Sequence, residues 1–196
     1  MKNIAEAYQR MIGKSFVFEI GQKGKKRILV ITPSESDFYH LSGFHHLNQI
    51  SIKPKTFYKN CLLGKYVLED LLNQFPDAGT GYFSERTYHQ LRVESILKIV
   101  ELFETPNEFI LKKVPKRYYS AGTNDKFSYC FERLMESSNG TEYKLILFFV
   151  FDIEIEGKEY LKMQSIGIKQ PNFTLSNLSK WKVLSCTAVN NLNDQK

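Results

Sequence analysis

The strongest constraint on the fold is an alternation of apolar and polar residues in the second half of the chain. Every odd position of residues 142–153 is apolar: Tyr143, Leu145, Leu147, Phe149, Phe151 and Ile153. The even positions include Glu142, Lys144 and Asp152. Because successive side chains of a strand point to opposite faces, this period of two predicts a strand in an antiparallel sheet with one better-buried face.

Further strand-like segments flank this one, whereas the first half of the chain has mostly the helical period. The predicted strands are 16–20, 27–31, 109–114, 127–135, 143–155, 160–168 and 181–189, with Glu156-Gly157-Lys158 as a tight hairpin turn. The predicted helices are 2–12, 37–47, 55–60, 67–75 and 84–104. This order predicts an α+β fold in which N-terminal helices pack on a C-terminal antiparallel β-sheet.

Composition indicates one domain with a substantial core. A chain of 196 residues with 42% apolar residues can bury such a core, so we expect a single domain over 1–190 and a frayed polar tail over 191–196. A doubly wound nucleotide-binding fold is disfavoured, because neither GxGxxG nor GxxxxGK[ST] occurs.

The same composition predicts a cytoplasmic protein with no membrane association. The three cysteines Cys61, Cys130 and Cys186 are far apart and form no CxxC pair, so neither a disulfide framework nor a zinc site is indicated. No signal peptide or bilayer-length apolar run is evident. The net charge of +6 is concentrated in residues 1–100, which carry 14 Lys and Arg against 9 Asp and Glu. A basic binding surface is therefore expected mainly in the first half.

Three of the four histidines lie within seven positions, as His40, His45 and His46. Histidine titrates closest to neutral pH, so such a cluster is the best candidate for proton-transfer chemistry. Ser36 is the predicted N-cap of the helix that carries them. A helical metal pair needs i and i+4, and His40 is five and six positions from the others, so no metal site and no cofactor is predicted. His45 and His46 are expected to have packing roles.

Gly43 lies three residues after His40 and costs a helix roughly 1 kcal/mol relative to alanine, so its presence needs a reason. One reason is access, because a substrate could then approach the imidazole closely. The other is tight packing against a neighbouring strand. The sequence leaves both open.

Basic and aromatic residues interleave in two segments, 53–59 and 112–119. Lys and Arg bind phosphates, and exposed aromatic rings stack on unpaired bases, so the segments suit single-stranded nucleic acid. The alternative is that the aromatic residues belong to the core and the basic residues form a solvated rim around them, which would give the same sequence pattern. In the last predicted strand, Ser185 and Thr187 share a face and could bind a phosphate oxygen, while Cys186 points to the core.

The segments FYHLSGF at 38–44 and KTFYKNCLLGK at 55–65 resemble the phage-associated branch of the barnase, EndoU, colicin and RelE-like (BECR) nucleases. The resemblance covers residues 1–65 and extends to the closing strands. It implies a metal-independent ribonuclease domain in which residues 66–104 are a helical insertion. It also implies that His40 is the catalytic histidine and that Lys55, Thr56 and Lys59 form a second motif. The access argument given above adds Gly43 as a substrate-binding position.

For that family, ribonuclease chemistry suggests the remaining roles. His40 would take the proton of a ribose 2′-hydroxyl, and Lys59 or Arg117 would offset charge on the phosphoryl oxygens. Tyr118 or a second histidine would protonate the leaving 5′-oxygen, giving a 2′,3′-cyclic phosphate. Arg117, Tyr118, Ser185 and Thr187 match no motif and are chosen for their chemistry alone.

Two other functions remain open at this point. The chain could be a non-catalytic RNA-binding protein in which His40 only packs, or an inhibitor or adaptor of a mobile element whose partner is a protein. As a nuclease it would be a phage or mobile-element toxin that acts on single-stranded or structured RNA, with a protein inhibitor as a further partner.

Overall fold

The computed structural model describes residues 1–47, 52–79, 81–104, 110–113, 127–175 and 179–191. The helices are α1 (Lys2–Gln9), α2 (Glu35–Ser42), α3 (Pro54–Leu62), α4 (Leu68–Leu72) and α5 (Glu85–Glu104). The strands are β1 (Lys14–Gln22), β2 (Lys25–Ile31), β3 (Ile110–Lys113), β4 (Phe127–Glu136), β5 (Glu142–Ile155), β6 (Lys158–Lys169) and β7 (Ser179–Asn190). The predicted elements are thus confirmed in type and order, and the largest boundary difference is in the second helix.

The strands form one closed sheet in the order β1-β2-β6-β5-β4-β3-β7, and β7 pairs back onto β1. The described helices all end before β3 begins, which is the predicted order of helices before the C-terminal strands. The prediction of a purely antiparallel, C-terminal sheet is wrong, because β1 and β2 are part of this sheet and β2 runs parallel to β6. A parallel pair needs a long crossover, and here the chain passes through α2 to α5 and three further strands between its two members.

Both short hairpins have two-residue turns with positive φ at both positions. The angles are 47° at Lys23 and 77° at Gly24, and 50° at Glu156 and 74° at Gly157. These signs define type I′ turns, whose twist matches that of the flanking strands. The predicted hairpin at 156–158 is therefore confirmed.

Helix α5 packs on the inner face of the closed sheet. Near its C-terminus the ring of Phe103 lies 4.8 Å from that of Phe16 and 5.6 Å from that of Phe18. Nearer the middle, the hydroxyls of Ser95 and Tyr143 are hydrogen-bonded at 2.9 Å. No helix within the described part of the chain combines the length and apolar character needed to cross a membrane.

Buried aromatic rings join α1, α2 and α3. The Phe38 ring lies 5.4 Å from Tyr8 and 5.2 Å from Tyr58, and the Tyr58 hydroxyl donates to the Ala5 carbonyl. Helix α2 also packs on α5 and β6. Contacts with α1, α3, α5 and β6 therefore hold α2 in place.

A charged network closes one end of the sheet interior. Arg27 of β2 forms an ion pair with Glu159 of β6, and the Tyr129 hydroxyl of β4 donates to the same carboxylate at 3.1 Å. The Arg27 guanidinium also lies over the Trp181 ring of β7, 5.4 Å from its centroid. One residue from each of four strands is thereby connected.

Candidate active site

Helix α2 begins and ends differently from the prediction. Its N-cap is Ser34 rather than Ser36, and the Asp37 carboxylate accepts from the Ser34 amide at 2.8 Å in a capping box. It ends at Ser42, because Gly43 takes a φ of 82°, a left-handed conformation that glycine adopts without strain. A 3₁₀ turn over Phe44–His46 follows. The predicted helix over 37–47 is therefore wrong beyond residue 42, and His40 lies in the last turn of α2.

Gly43 also lies directly against α5. A Cβ atom at this position would be 2.8 Å from Nδ1 of His89 and 3.0 Å from Nη1 of Arg92. Real Cβ atoms do not approach so closely, so only glycine fits without movement of these side chains. Of the two reasons considered for Gly43, these contacts support tight packing. The element that packs against Gly43 is the helix α5 and not a strand.

The turn at Gly43 brings all four histidines into one cluster. Ring centroids are 5.1 Å apart for His40 and His45, 3.9 Å for His45 and His46, and 6.4 Å for His46 and His89. His40 and His45 are half-buried, His46 is exposed, and His89 is buried. We call these four residues the histidine cluster.

Arg92 connects α5 to the end of α2. Its Nε donates to the Leu41 carbonyl at 2.7 Å, and its Nη2 donates to the His40 carbonyl at 2.6 Å. These are carbonyls of the last turn of a helix, which lack partners within the helix and carry its negative dipole end. Arg92 is only 4% exposed, so it is a buried cation that fixes the backbone of His40.

Burial and positive charge keep three of the imidazoles neutral. Desolvation, with smaller effects of His46, Arg92 and His40, lowers the pKa of His45 to about 4. Desolvation and Arg92 lower the pKa of His89 to about 3, and the same causes lower the pKa of His46. The Nδ1 atoms of His45 and His89 are buried, and neither has a hydrogen-bond partner among the described residues. Near neutral pH these imidazoles are therefore uncharged, and their lowered pKa values make them weak bases.

A cavity of about 610 Å³ opens beside the cluster. It is lined by His46, Leu47, Gln74, Phe75, Pro76, Glu85, Tyr88, His89 and Arg92. The His89 ring stacks on Phe75 with 3.7 Å between centroids. The cavity therefore combines an exposed imidazole, a buried guanidinium and aromatic walls, a combination that suits an anionic ligand with a planar group.

The second predicted motif lies on the exposed side of α3. Phe57, Tyr58 and Cys61 are buried, whereas Lys55, Thr56 and Lys59 are exposed. Lys55 lines a different cavity, of about 880 Å³. The other lining residues are Ile12, Gly13, Ser15, Thr32, Pro33, Ser34, Glu35, Asn190 and Asn191. We call this the lysine cavity.

Ser185 and Thr187 lie on the outer face of β7, opposite Glu19 and Val17 of β1. Both are exposed, whereas Cys186 packs against the core, as expected. Strand β7 pairs with β1 and β3, and α2 packs on α3, α5 and β6. No described contact brings these two hydroxyls to the histidine cluster.

Two predicted catalytic residues, Arg117 and Tyr118, lie outside the described residues, so their roles stay predictions. Among the described residues, no three His, Cys, Asp or Glu side chains form a group that could hold a metal ion.

The sequence interpretation missed His89 and Arg92, which complete the cluster from α5. A signal for Arg92 was present, since it follows Tyr88 and precedes Ile96 at intervals of four in the apolar stripe of this helix. A charged residue on an otherwise apolar helix face needs a buried partner. That partner is the C-terminus of α2, about 50 residues earlier in the chain. A local sequence pattern therefore cannot identify it.

Comparison with known protein families identifies the family of this chain. Residues 1–182 match the family described as phage-Barnase-EndoU-ColicinE5/D-RelE like nuclease4, PBECR4. Searches of curated proteins and of solved structures give no significant match. Because the match spans nearly the whole chain and includes both motifs and all four histidines, the chain belongs to the PBECR4 family of phage-associated BECR-like nucleases.

Proposed function

We propose that this nuclease is a metal-independent endoribonuclease that acts as a toxin of a phage or mobile element. In the proposed reaction a ribose 2′-hydroxyl attacks the adjacent phosphorus, giving a 2′,3′-cyclic phosphate and a 5′-hydroxyl. The observation that carries the proposal is a cluster of four histidines in a chain of a nuclease family. Two of its members, His46 and His89, line a cavity together with the buried Arg92, and the ring of His45 connects His40 to His46.

In this proposal His40 is the general base. Its backbone is held by Arg92, and its ring lies 5.1 Å from that of His45, so the imidazole has a defined position at the end of α2. A positioned imidazole can remove the 2′-hydroxyl proton without a metal ion. Neighbouring imidazoles with lowered pKa values add no positive charge to the site at neutral pH.

Arg92 and Lys59 are the described cations that would balance charge in the transition state. Arg92 lies in the wall of the histidine-lined cavity, where low dielectric strengthens its interaction with phosphoryl oxygens. Lys59 is exposed on α3, the helix that packs on α2. Arg117 remains a further candidate for the same role.

The general acid is assigned by elimination among the described histidines. A lowered pKa leaves His46 neutral, so it is a poor proton donor at neutral pH. Tyr118 therefore remains the proposed acid for the leaving 5′-oxygen. Gly43, Lys55, Thr56, Ser185 and Thr187 remain proposed substrate contacts, and the two hydroxyls on β7 would then act at a distance from the scissile bond.

The test is cleavage of purified cellular RNA in buffer that contains EDTA. Wild-type protein should cut, and His40→Ala should cut at least about a hundredfold more slowly, as expected when a general base is lost. Lys98→Ala removes a half-buried lysine of α5 that pairs with Glu101 and lines neither cavity, and it should cut at the wild-type rate. Circular dichroism of His40→Ala shows whether the fold is intact.

Three outcomes would contradict the proposal. EDTA could abolish cleavage, His40→Ala could retain it, or the wild type could bind RNA in a salt-sensitive manner without cutting it. The last result would favour the non-catalytic RNA-binding alternative. If His46→Ala is inactive and His40→Ala is active, the base is His46 and the assignment of His40 is wrong.

The toxin role is tested separately, because induced wild-type protein should arrest bacterial growth and His40→Ala should not.

A further inference from the structure

The positive charge of the chain is concentrated at one corner of the closed sheet. Residues 19–26 of β1 and β2, together with 179–182 of β7, contain five lysines and one glutamate. Four of the six net positive charges of the chain therefore lie in twelve residues. The lysines are Lys23, Lys25, Lys26, Lys180 and Lys182, and all five are exposed.

The strand register places these lysines on one continuous surface. Lys26 of β2 and Lys182 of β7 both pair with Gly21 of β1, so the three residues form a row across three strands. With neighbouring strands about 4.8 Å apart, the backbones of the two lysines are about 10 Å apart. Lys26 is partly neutralised by Glu19 at 2.6 Å. The other four lysines are in no ion pair described for this part of the chain, and two of them, Lys180 and Lys182, lie on β7.

Gly21 lets the side chain of Leu184 lie close to the backbone at the centre of this row. A Cβ at Gly21 would be 3.0 Å from Cδ1 of Leu184, which lies over the glycine. A larger residue would displace Leu184 and raise the surface between the lysines.

The outer face of β7 continues from this row toward the helices. Beyond Lys182 it carries the exposed hydroxyls of Ser185 and Thr187, and the strand ends at Asn190. Asn190 and Asn191 line the lysine cavity, where the Asn191 side-chain oxygen accepts from the Ser15 hydroxyl. The outer face of β7 therefore leads from the exposed lysines to a polar cavity that Lys55 also lines.

The lysine cavity also reaches the helix that carries His40. Glu35, the first residue of α2, lines the cavity, and His40 is five residues further along the same helix. At 1.5 Å per residue the two positions are about 7.5 Å apart along the helix axis. The lysine cavity and the histidine cluster are thus at opposite ends of one short helix.

We propose that the outer face of β7, with the β1–β2 hairpin, binds the backbone of single-stranded RNA and guides it through the lysine cavity toward α2. Lys180 and Lys182 bind phosphates, Ser185 and Thr187 donate hydrogen bonds to them, and Lys55 holds the strand at the cavity. We call this surface the β7 track. That the ligand is RNA rests on the proposed function, whereas the electrostatic and hydrogen-bonding surface rests on the geometry above.

The experiment measures binding without cleavage. A 2′-O-methyl RNA of about twelve nucleotides, within the usual range of single-strand site sizes, lacks the nucleophile and stays intact whatever the enzyme does. Affinity is measured by fluorescence anisotropy across a range of salt concentrations for wild type, Lys180→Ala/Lys182→Ala and Lys2→Ala/Lys98→Ala. The two double variants remove the same charge, but Lys2 and Lys98 lie on α1 and α5, away from β7.

Loss of two phosphate contacts should weaken binding about tenfold and reduce the slope of log K against log salt by about 1.4, the value for two contacts on a single strand. The control pair should leave the slope unchanged. Equal effects of the two pairs would overturn the track, since net charge alone would then explain binding, and so would unchanged binding by Lys180→Ala/Lys182→Ala.

The β7 track and the ribonuclease proposal can be confirmed or contradicted independently of each other. Binding of the methylated RNA that depends on Lys180 and Lys182, by a protein that cuts no RNA, would support the β7 track and contradict the ribonuclease proposal. Cleavage of RNA by a protein whose affinity for RNA is unchanged in Lys180→Ala/Lys182→Ala would support the ribonuclease proposal and contradict the β7 track. Ser185→Ala/Thr187→Ala, which removes no charge, should weaken binding with no change of salt slope, and unaltered affinity would exclude the two hydroxyls from the track.

Discussion

Gly43 satisfies two independent requirements at the candidate site, and each alone favours glycine. Its φ of 82° is unfavourable for side chains, and a Cβ would collide with His89 and Arg92. The sequence showed that a glycine in this position needed a reason. It could not distinguish access from packing, because the residues that pack against Gly43 are on a helix more than 40 positions away.

Gly43→Ala should therefore destabilise the protein by about 2–4 kcal/mol, the sum of left-handed strain and of overpacking against α5. Gly157→Ala is the matched control, since Gly157 has a φ of 74° and no atom of the described residues lies within 4 Å of the position that its Cβ would take. This control should cost only about 1 kcal/mol. Urea unfolding measures both. Equal losses would show that the contact with His89 and Arg92 carries no energy.

His89 makes stability depend on pH. Its pKa is lowered from 6.5 to about 3 in the folded protein, so between these values the unfolded chain binds a proton that the folded protein does not. Stability from neutral His89 is thus complete above pH 6.5 and is lost as the pH falls toward 3. From pH 7 to pH 5, wild type should lose about 2 kcal/mol more free energy of unfolding than His89→Gln.

Urea titrations of the two proteins at pH 7 and pH 5 measure this difference. Asp37 has a pKa raised to about 6, and its contribution has the opposite sign, because protonation of Asp37 favours the folded state. Asp37 and His45 are present in both proteins, so their effects cancel in the comparison. Parallel losses in wild type and His89→Gln would mean that His89 is not held neutral.

At the scale of elements, Arg92 makes α5 and the end of α2 one unit. Its two hydrogen bonds stabilise the last turn of α2, and its charge lowers the pKa of His46. Arg92→Met should cost about 2–4 kcal/mol, because it leaves two carbonyls without a charged donor. It should also raise the pKa of His46, followed by NMR titration of the imidazole.

Arg92→Lys separates these two effects. A lysine keeps the positive charge but lacks the fork that reaches both carbonyls, so it should lower stability and leave the pKa of His46 low. If His46 titrates at the same pH in Arg92→Met and wild type, then burial alone lowers its pKa, and Arg92 has no electrostatic role in the cluster.

The elements themselves were largely predictable, because the signals that define them are local. The apolar stripe of α5, the alternation in β5 and the turn at Gly157 each lie within one short segment. The end of α2 was not predictable in this way, since Gly43 resembles an interior helix residue until its contacts with α5 are known. Local periodicity determines whether a segment forms a helix or a strand. It does not determine the residue at which the element ends when contacts with a distant segment, such as those of Gly43 with α5, set that end.

At the scale of the whole molecule, the closure of the sheet and the parallel pairing of β2 with β6 could not be predicted from the sequence. Both depend on contacts between segments more than 100 residues apart, such as Ile31 with Leu161 and Phe16 with Ala188. The same is true of the candidate site, where α5 supplies two side chains. His40 could be selected early because its motif is local, whereas its surroundings are a product of the fold.

Closure also gives the molecule two separate surfaces with different chemistry. The histidine cluster lies where α2 meets α5, and the exposed lysines lie on the outside of the sheet at the β1–β2 hairpin. In our account the first surface performs the reaction and the second binds the polymer. A substrate therefore has to contact both, which makes its length and its backbone important to turnover.

The central claim is that the substrate's own 2′-hydroxyl is the nucleophile. The most direct measurement compares cellular RNA with the same sequences fully 2′-O-methylated, in EDTA, followed by mass spectrometry of the product ends. We predict that only unmodified RNA is cut, and that every product carries a 2′,3′-cyclic phosphate or a 5′-hydroxyl at the new ends. Cleavage of the methylated RNA, or products with 3′-hydroxyl and 5′-phosphate ends, would contradict the mechanism.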